Sequence, residues 1–344
     1  MRGLGLTEEL RDITIVGGGP TGLFGAFYAG MRGVSCRIID SLPELGGQLT
    51  ALYPEKYIFD VGGFTKILAK DLASALIEQG LQFGAEVVLD SRLEALELGE
   101  DGTLTVRTED RAFPGRAVIV AGGKGAFIPT RLKCPGYDEF EGRGIAFGVR
   151  DKEVYRDRKV VVVGGGDTAM DFVLMLKDVA ASLTLVHRRD GWRGFSASVR
   201  EMEEAEARGE IEVRTFHELR SIEGNGSLER ITIFDNRKGR EGPDIVLEAD
   251  AMLSCLGFKP DLGPIKEWGL EVKKNRIVVD QLMKTNRAGV FAAGDLVGYP
   301  GKVDLIVAGF SEVAIAVNGA VRHLDPKAPS KAGHSTHLKV FKDK

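Results

Sequence analysis

The sequence has 344 residues, of which 43% are apolar and 28% charged, and its 46 Lys and Arg nearly balance its 50 Asp and Glu. This composition is too apolar for a disordered chain, and it lacks the basic excess of a dedicated nucleic-acid-binding protein. Because one hydrophobic core rarely organises more than roughly 250–300 residues, two domains are expected at this length.

The chain opens with a predicted strand–helix–strand unit. An apolar run over residues 12–16 predicts a buried strand, a small-residue segment over 21–32 predicts a helix, and residues 35–40 predict a second strand. This succession is typical of a parallel sheet. The first part continues with a Gly/Pro-rich stretch over 42–63, an amphipathic helix over 64–79 and strands over 82–89, 103–107 and 117–121.

A second copy of this unit begins 147 positions later, counted from Gly17 to Gly164. Its predicted elements are a strand over 159–163, a helix over 167–179, a strand over 183–187 and further strands over 211–215, 231–234 and 251–256. The last part predicts a strand and turn over 289–295 and a long helix over 304–322. Because no linker precedes this part, we expect it to complete the first domain. The tail over 325–344 is rich in Lys, Pro, Ser and His, a composition compatible with disorder.

The first glycine cluster lies between the first strand and the first helix. The run Gly17-Gly18-Gly19-Pro20-Thr21-Gly22 fits the pattern G-x-G-x-x-G, in which glycines allow a tight turn, the approach of a pyrophosphate and close helix–strand packing. An acid to bind a ribose is expected about 20 residues on, and Asp40 stands 23 residues after Gly17. In a glycine-rich chain the pattern alone is often only structural. With strand, helix and acid in register, the residues predicted to bind a dinucleotide are Gly17, Gly19, Pro20, Thr21, Gly22 and Asp40.

The second glycine cluster has the same design with a different charge. Gly164 and Gly166 are followed by Asp167, Thr168 and Ala169, and the same 23-residue count leads to His187 instead of an acid. Arg188, Arg189 and Arg193 follow, and guanidinium groups bind a 2′-phosphate well, so this site favours NADP over NAD. The alternative is a solvated basic turn after a strand.

Two nucleotide sites of unlike charge indicate a division of labour between a resident FAD and an exchanging nicotinamide. The run from Gly289 to Asp295 supports this, because a short strand there delivers Asp295 just past a glycine turn, where it could bond a flavin ribityl chain. The helix that follows could direct its positive end at the flavin N1 and C2=O. Taken alone, Gly-Asp after a strand is more often a plain turn.

Cysteine and hydropathy patterns bear on location. Cys36, Cys134 and Cys255 are isolated from one another, so neither a metal site nor a local redox disulfide is predicted. No apolar run approaches the roughly 20 residues of a membrane-spanning helix. Residues 1–12 lack the apolar stretch of a signal peptide, so we expect a cytoplasmic protein.

At these residues the chain resembles the two-dinucleotide-domain flavoproteins of the thioredoxin reductase type. The runs that carry the resemblance, in order, are Gly17–Gly22, Gly46-Gly47-Gln48, Gly164–Ala169, His187-Arg188-Arg189 with Arg193, and Gly289–Asp295. The resemblance implies an α/β fold of two Rossmann-like domains, the second inserted into the first. The FAD-binding domain would comprise residues 1–122 and 262–344, and the NADP-binding domain residues 123–261.

One departure separates this chain from thioredoxin reductases. Those enzymes carry Cys-x-x-Cys just ahead of the second glycine turn, where this sequence has Phe147-Gly148-Val149-Arg150. Without sulfur a dithiol relay cannot operate, so electrons must leave the flavin directly. The ferredoxin–NADP reductases built on this fold are more similar. The shared features are Gly46-Gly47-Gln48 continuing to Tyr53, Lys302 with the helix through Gly309-Phe310, and an extension ending in His334-Ser335-Thr336, although His337 follows where the family usually has Ser.

That resemblance implies the remaining flavin contacts. Tyr53 and His334 would stack on the two faces of the isoalloxazine, His334 coming from the other subunit of a homodimer. Without the resemblance, Tyr53 would be a surface anchor and His334 a solvated tail residue. The other implied FAD residues are Asp40, Gly47, Gln48, Val88, Phe127, Asp295 and Thr336.

The function implied is FAD-dependent electron transfer between NADPH and ferredoxin or flavodoxin. Hydride would pass from NADPH to flavin N5, and single electrons would then leave, with no side chain assigned as a general acid or base. Such carriers are generally acidic, so a basic docking face is expected, and neither nucleic acid nor membrane is an expected partner. The sequence is also compatible with two alternatives: a reductase of a thioredoxin-like disulfide protein or a quinone, and a non-enzymatic flavin redox sensor.

Overall fold

Two units make up the part of the chain that the computed structural model describes, namely residues 6–123, 125–330, 333–338 and 341. For residues 6, 7, 126–128, 240, 259 and 260 only the backbone is described. The first unit comprises Met1–Ala51, Tyr57–Phe127 and Pro260–Lys344, and the second comprises Leu52–Lys56 and Ile128–Lys259. Each unit is therefore assembled from separate stretches of sequence. Which nucleotide each unit binds stays a prediction at this point.

The elements up to residue 123 belong to the first unit. Its helices there are α1 (Pro20–Met31), α2 (Gln48–Ala51) and α3 (Ala69–Leu81). Its strands there are β1 (Leu6–Thr7), β2 (Arg11–Val16), β3 (Cys36–Ile39), β4 (Tyr57–Ile58), β5 (Ile67–Leu68), β6 (Glu86–Val88), β7 (Ala95–Leu98), β8 (Leu104–Arg107) and β9 (Arg111–Val120).

The middle of the chain supplies the second unit, and the last part returns to the first. The middle helices are α4 (Tyr137–Phe140), α5 (Asp167–Leu176) and α6 (Ser196–Ala207). The middle strands are β10 (Ala126–Pro129), β11 (Ile145–Ala146), β12 (Lys159–Gly164), β13 (Ser182–His187), β14 (Glu212–Thr215), β15 (His217–Gly224), β16 (Leu228–Asp235), β17 (Asp244–Glu248), β18 (Ala251–Cys255) and β19 (Phe258–Asp261). The last elements are β20 (Val272–Lys273), β21 (Arg276–Val278), β22 (Val290–Ala292), β23 (Val297–Gly298) and α7 (Ile306–Leu324).

The first unit is built on a mixed sheet in the order β6-β3-β2-β9-β8-β7, to which β1 and β22 are added through β9. Strands β6, β3, β2, β9 and β22 pair in parallel, whereas β7 and β8 pair antiparallel with each other and β8 with β9. The carboxyl-terminal halves of the parallel strands are mostly apolar, as expected where both faces of a sheet are covered, and Ile13, Ile38 and Ile119 are fully buried. Helix α1 packs against α3 and α7.

The parallel strands of the first unit end in one row. The register joins Val88 to Ile39, Ile39 to Val16, Val16 to Val120 and Val120 to Ala292. The residues that follow these strands therefore leave the sheet at the same edge, which is where ligands bind in open parallel sheets. They are Gly17, Asp40, Leu89, Ala121 and Ala293.

The second unit repeats this arrangement with a parallel sheet in the order β11-β18-β12-β13-β14. Alternate residues of β12 face opposite ways: Val160 and Val162 join a core with α5 and α6 residues, and Val161 and Val163 join a core shared with the antiparallel strands β15, β16 and β17. Because Val163 pairs with Val186 in the register, the second glycine turn and His187 leave the sheet side by side.

The helix predicted over 64–79 is wrong at its start, and helix α6 is one of several observed elements that were not predicted. The helix expected over 64–79 begins at Ala69, because residues 67–68 pair antiparallel with residues 57–58 and so use their backbone groups in a strand pairing. Helix α6 is not evident from its sequence because only Met202 and Ala205 are buried in it, which leaves a weak apolar period.

Within the described part of the tail, the ring of Phe341 lies 6.3 Å from that of Phe27 and 5.6 Å from that of Phe83. Residues 331, 332, 339, 340 and 342–344, for which disorder was also expected, lie outside the described residues. Of the helices in the described residues, none has both the length and the apolar character needed to cross a membrane. The same residues contain no group of three or more His, Cys, Asp or Glu side chains arranged for a metal ion.

Candidate functional site

The first glycine turn is held at the edge of the first unit's sheet. A Cβ at Gly17, which has φ +113°, would lie 2.5 Å from the carbonyl oxygen of Ala121. A Cβ at Gly22 would lie 1.8 Å from the carbonyl oxygen of Gly17. The fold itself therefore requires glycine at both positions, because a side chain would displace the backbone.

Gly19, in contrast, faces open space. A Cβ at this residue would meet only Gly47 Cα, at 3.8 Å, among the described atoms within 4 Å. Gly19 is also the N-cap of α1, no described side chain caps this helix, and Pro20 follows at its first position. Uncapped amides at the positive end of a helix bind phosphate oxygens. The open space and these amides fit the pyrophosphate of the expected FAD.

Asp40 occupies the position expected for a ribose acceptor. Its Oδ2 accepts a hydrogen bond from Gly18 N at 2.5 Å, and its Oδ1 accepts one from Leu42 N at 2.9 Å. Burial raises the pKa of this carboxyl group, while the bonds from Leu42 and Gly18 lower it. Each oxygen keeps acceptor capacity for a hydroxyl group. Val88, another predicted FAD residue, lies beside it, since Asp40 N donates to the Val88 carbonyl at 2.9 Å.

The Gly46-Gly47-Gln48 run packs onto the first turn. Gly47 has φ +60°, and a Cβ there would lie 2.9 Å from Gly19 Cα, so a larger residue would push this loop away from the turn. Gln48 Nε2 lies 3.5 Å from the point that a Cβ of Gly123 would occupy. The structure thus brings Gly47 and Gln48 to the edge predicted to bind FAD.

The Gly294–Asp295 turn contacts the first turn through Thr21. A Cβ at Gly294, where φ is +89°, would lie 3.1 Å from Thr21 Oγ1, and one at Gly309 would lie 2.3 Å from the same atom. Thr21 is therefore packed between the end of β22 and the start of α7. Asp295, the expected ribityl ligand, follows directly and is half-buried.

Four further predicted FAD residues lie in other segments. Tyr53 belongs to Leu52–Lys56, which groups with the second unit, where Lys56 pairs with Asp171. His334 and Thr336 are exposed at the 3-10 turn Ser335–His337, in which the rings of His334 and His337 are 6.0 Å apart. The side chain of Phe127 lies outside the described part of the chain. Their contacts with a flavin stay predictions.

Like the first turn, the second glycine turn has one glycine that is confined by neighbouring backbone and one that faces open space. A Cβ at Gly164 would lie 2.5 Å from the carbonyl oxygen of Cys255, whereas a Cβ at Gly166 would have no described atom within 4 Å. Gly166 is the N-cap of α5, which no described side chain caps. Ala169, in the third position of the pattern, is fully buried against the sheet. The space in front of α5 therefore fits a second pyrophosphate.

His187 ends β13 with its ring lying over this turn. A Cβ at Gly165 would lie 2.2 Å from His187 Cε1. The imidazole stacks on Trp192 with ring centroids 4.8 Å apart and planes 25° apart, and its Nε2 lies 3.1 Å from the carbonyl oxygen of Gly191. This stack holds the imidazole over the glycine turn, and the chain continues from it into the basic residues.

The positive charge of this site comes from guanidinium groups. Arg188, Arg189 and Arg193 are exposed, and no carboxylate among the described residues forms an ion pair with any of them. Burial lowers the pKa of His187, and the three guanidinium groups lower it further, against the bond to Gly191, which raises it. These three guanidinium groups, close together in sequence beside His187, have the charge that the predicted 2′-phosphate site requires.

This shift predicts a pH-dependent stability of the second unit. Because the folded pKa of His187 lies below its ordinary value of 6.5, the unfolded chain takes up the proton first. The contribution of His187 is therefore complete above pH 6.5 and is lost as the pH falls through 6.5 toward the folded pKa. His187→Phe keeps an aromatic ring over Trp192 but cannot titrate. Between about pH 7.5 and about pH 5, we expect the unfolding temperature of this variant to fall less than that of the wild type. Equal decreases in the two proteins would contradict this prediction.

A buried charge network beside Gly294 was not predicted. Glu312 of α7 is 3% exposed and accepts hydrogen bonds from Gly294 N at 2.7 Å, the Tyr299 hydroxyl at 2.6 Å and Lys302 Nζ at 2.7 Å. The signal in the sequence was the single acid in the otherwise apolar and small-residue run over 306–317, because an acid on the buried face of a helix requires a partner.

The stretch that replaces Cys-x-x-Cys is part of the second unit's core. Val149 is fully buried there. Cys36, Cys134 and Cys255 are unpaired thiols, and burial raises the pKa of Cys134 to about 11 and that of Cys36 to about 12. None of them has the lowered pKa of a reactive thiolate.

Comparisons with known proteins agree on one family. The sequence profile of the pyridine nucleotide-disulphide oxidoreductases matches residues 11–316. A ferredoxin–NADP reductase of Thermus thermophilus is 47% identical over 331 residues, which cover 96% of this chain and 98% of that protein. One from Symbiobacterium thermophilum is 45% identical over 336 residues, with the same coverage of 96% and 98%.

Solved structures show the same fold. The thioredoxin reductase of T. acidophilum superposes with a TM-score of 0.76 at 23% identity, covering 93% of this chain and 99% of that one. The thioredoxin reductase of Lactococcus lactis superposes with a TM-score of 0.74 at 23% identity, covering 91% and 99%. The predicted α/β fold of the thioredoxin reductase type, with two Rossmann-like domains, is confirmed.

Proposed function

The chain belongs to the pyridine nucleotide-disulphide oxidoreductase family and, within it, to the ferredoxin–NADP reductases, and on this premise we propose that it transfers electrons between NADPH and a ferredoxin through bound FAD. The proposal depends on one observation. Each of two glycine turns precedes a helix that no described side chain caps, and the side chains beside the two turns carry opposite charge. The first turn lies beside the carboxylate of Asp40, and the second leads to the exposed guanidinium groups of Arg188, Arg189 and Arg193, which have no carboxylate partner in the described part of the chain.

The first unit would hold FAD. Its pyrophosphate would bind the amides in front of α1, its ribose would bond Asp40, and its ribityl chain would bond Asp295. The residues proposed to complete this site are Gly17, Gly19, Pro20, Thr21, Gly22, Gly47, Gln48, Val88, Phe127 and Thr336, with Tyr53 and His334 stacking on the flavin.

The second unit would hold NADP(H). Its pyrophosphate would bind in front of α5, where Gly166 leaves the space, and its 2′-phosphate would bind the guanidinium groups that follow β13. The neutral imidazole of His187, held by Trp192, would position the backbone of these arginines without repelling them. The residues proposed for this site are Gly164, Gly166, Asp167, Thr168, Ala169, His187, Arg188, Arg189 and Arg193.

The protein's own part in the reaction is to bind and orient. The chemistry that FAD supplies when bound is acceptance of a hydride from NADPH at N5 and release of single electrons to ferredoxin. A dithiol step on this chain is not part of the proposal, because residues 147–150 contain no sulfur and burial raises the pKa values of Cys36, Cys134 and Cys255.

The proposal extends to partners. Ferredoxin is the carrier that the relatives' names give, and we add flavodoxin as a second acidic carrier that could use the same docking face. We also propose a homodimer, in which the tail carrying His334 would reach the other subunit's flavin. A cytoplasmic location remains a prediction from the cysteine usage.

The proposed activity can be tested by anaerobic stopped-flow absorbance. NADPH is expected to bleach the yellow absorbance of the purified protein within milliseconds, and subsequent addition of oxidised ferredoxin should restore it. Thioredoxin is the matched control and should leave the reduced flavin unchanged. Turnover with thioredoxin but none with ferredoxin would select the disulfide reductase alternative. Bleaching that takes longer than minutes would favour the alternative of a non-enzymatic redox sensor.

A further inference from the structure

A buried ion pair lies beside the Gly294–Asp295 turn, and it belongs to neither of the two proposed nucleotide sites. The side chains of Lys302 and Glu312 are 5% and 4% exposed, and Lys302 Nζ lies 2.7 Å from Glu312 Oε1. Moving two charges out of water is costly, so replacing such a pair by apolar residues is often neutral or stabilising. Stability alone is therefore a weak reason for a Lys–Glu pair at this place.

Glu312 uses its two oxygens differently. Oε2 accepts the backbone N–H of Gly294 at 2.7 Å, and Gly294 is the residue directly before Asp295. Oε1 accepts both the Tyr299 hydroxyl, at 2.6 Å, and Lys302 Nζ, at 2.7 Å. Burial and the bond to Glu312 raise the pKa of Tyr299 to about 12, so its hydroxyl remains protonated and donates.

The three donors come from successive points of one segment. Gly294 follows β22, Tyr299 follows β23, and Lys302 lies in the loop that leads into α7. One carboxylate in the second turn of α7 therefore holds the whole connection between the strand and the helix. This connection also packs on the first glycine turn, because Thr21 Oγ1 lies near both Gly294 and Gly309.

We propose that Glu312 is a positioning residue for the flavin and that Lys302 is the counter-ion of Glu312. Glu312 holds the peptide that precedes Asp295, so that the Asp295 carboxylate is presented to the ribityl chain. Lys302 neutralises Glu312, so that this buried acid adds no net charge to the flavin site. This inference rests on the proposed function, since it assumes that FAD binds at the first unit.

The experiment uses the full-length holoprotein and measures the flavin midpoint potential by dye-equilibrated reduction. Glu312→Gln leaves the Lys302 ammonium unpaired, and positive charge favours the reduced flavin, so the potential is expected to rise. Lys302→Met leaves the carboxylate unpaired, so the potential is expected to fall. The double variant should return close to the wild-type value, because the two changes act on one pair.

A second measurement separates the effect of side-chain length at residue 312 from the effect of its charge. Glu312→Asp keeps the negative charge but shortens the side chain, so the bond to Gly294 is lost while the counter-ion remains. We expect the dissociation constant of FAD to rise on the order of 10-fold, the effect of one charge-assisted hydrogen bond. The flavin midpoint potential should stay near that of the wild type. FAD titration of the deflavinated variant measures this.

A partly buried ion pair in the sheet of the same unit provides the control. Glu86 pairs with Arg37, which is fully buried, at 3.1 Å, and with Arg11 at 2.9 Å. Glu86→Gln should lower the unfolding temperature and leave the flavin potential unchanged. Potentials that move in the same direction in both single variants, or that do not move while FAD stays bound, would overturn the role of Glu312 and Lys302. A wild-type protein that binds no FAD would instead overturn the proposed function.

Discussion

Gly19→Val is expected to give a folded protein that no longer retains FAD. The new Cβ has open space toward the protein, with only Gly47 Cα at 3.8 Å, but that space is where the pyrophosphate would approach the amides of α1. Loss of one or two charge-assisted bonds to the phosphate, at about 1.5–3 kcal/mol each, raises the dissociation constant of FAD on the order of 100-fold. The measurement is the ratio of flavin to protein absorbance after dialysis, with thermal unfolding alongside.

Substitutions at three other glycines test whether the loss of FAD is specific to Gly19. Gly62→Val places a side chain in equally open space away from the turn and should retain FAD. Gly166→Val should retain FAD but lose NADPH. Gly22→Val should damage the fold itself, by about 3 kcal/mol or more, because its Cβ would lie 1.8 Å from the carbonyl oxygen of Gly17. Stoichiometric FAD in Gly19→Val would show that the first turn does not bind the pyrophosphate.

Arg188→Ala combined with Arg189→Ala is expected to raise the KM for NADPH on the order of 100-fold. Each guanidinium group is exposed and without a carboxylate partner among the described residues, so its contribution to a bound 2′-phosphate is about 1.5 kcal/mol, or tenfold. NADH lacks this phosphate, so its kcat/KM should change little. The wild type should therefore prefer NADPH, and the double variant should lose most of that preference. Steady-state kinetics with both nucleotides gives the comparison.

Arg230→Ala serves as the charge control, since it removes an exposed guanidinium group from β16 of the same unit. It should leave the KM for NADPH within about twofold of the wild type if the effect is local rather than long-range. An unchanged KM in the Arg188→Ala, Arg189→Ala variant would refute the assignment of the second site. So would wild-type kcat/KM values that are equal for NADH and NADPH.

The parts of the site that lie close together in sequence could be predicted without the structure. Each glycine turn, the helix after it and the residue at the end of the next strand occur within a single strand–helix–strand unit. The physical demands on that unit are local: a turn that only glycine permits, a helix start free for phosphate, and an acid or base 23 residues on. The positions of Asp40 and of the basic run after His187 were therefore predictable, and the lack of a Cys-x-x-Cys motif can be read directly from the sequence.

The arrangement of distant segments was decided only by the tertiary structure. The register across β6, β3, β2, β9 and β22 aligns residues up to 276 positions apart, from Val16 to Ala292, and it brings the Gly294 turn to Thr21. The loop after β3 is folded back in the same way, which places Gly47 on Gly19. No local pattern encodes such pairing, because it depends on which strands become neighbours. The start of α3 at Ala69 and the partners of Glu312 have the same cause: a backbone pairing or a buried charge is satisfied by groups that the chain supplies from elsewhere.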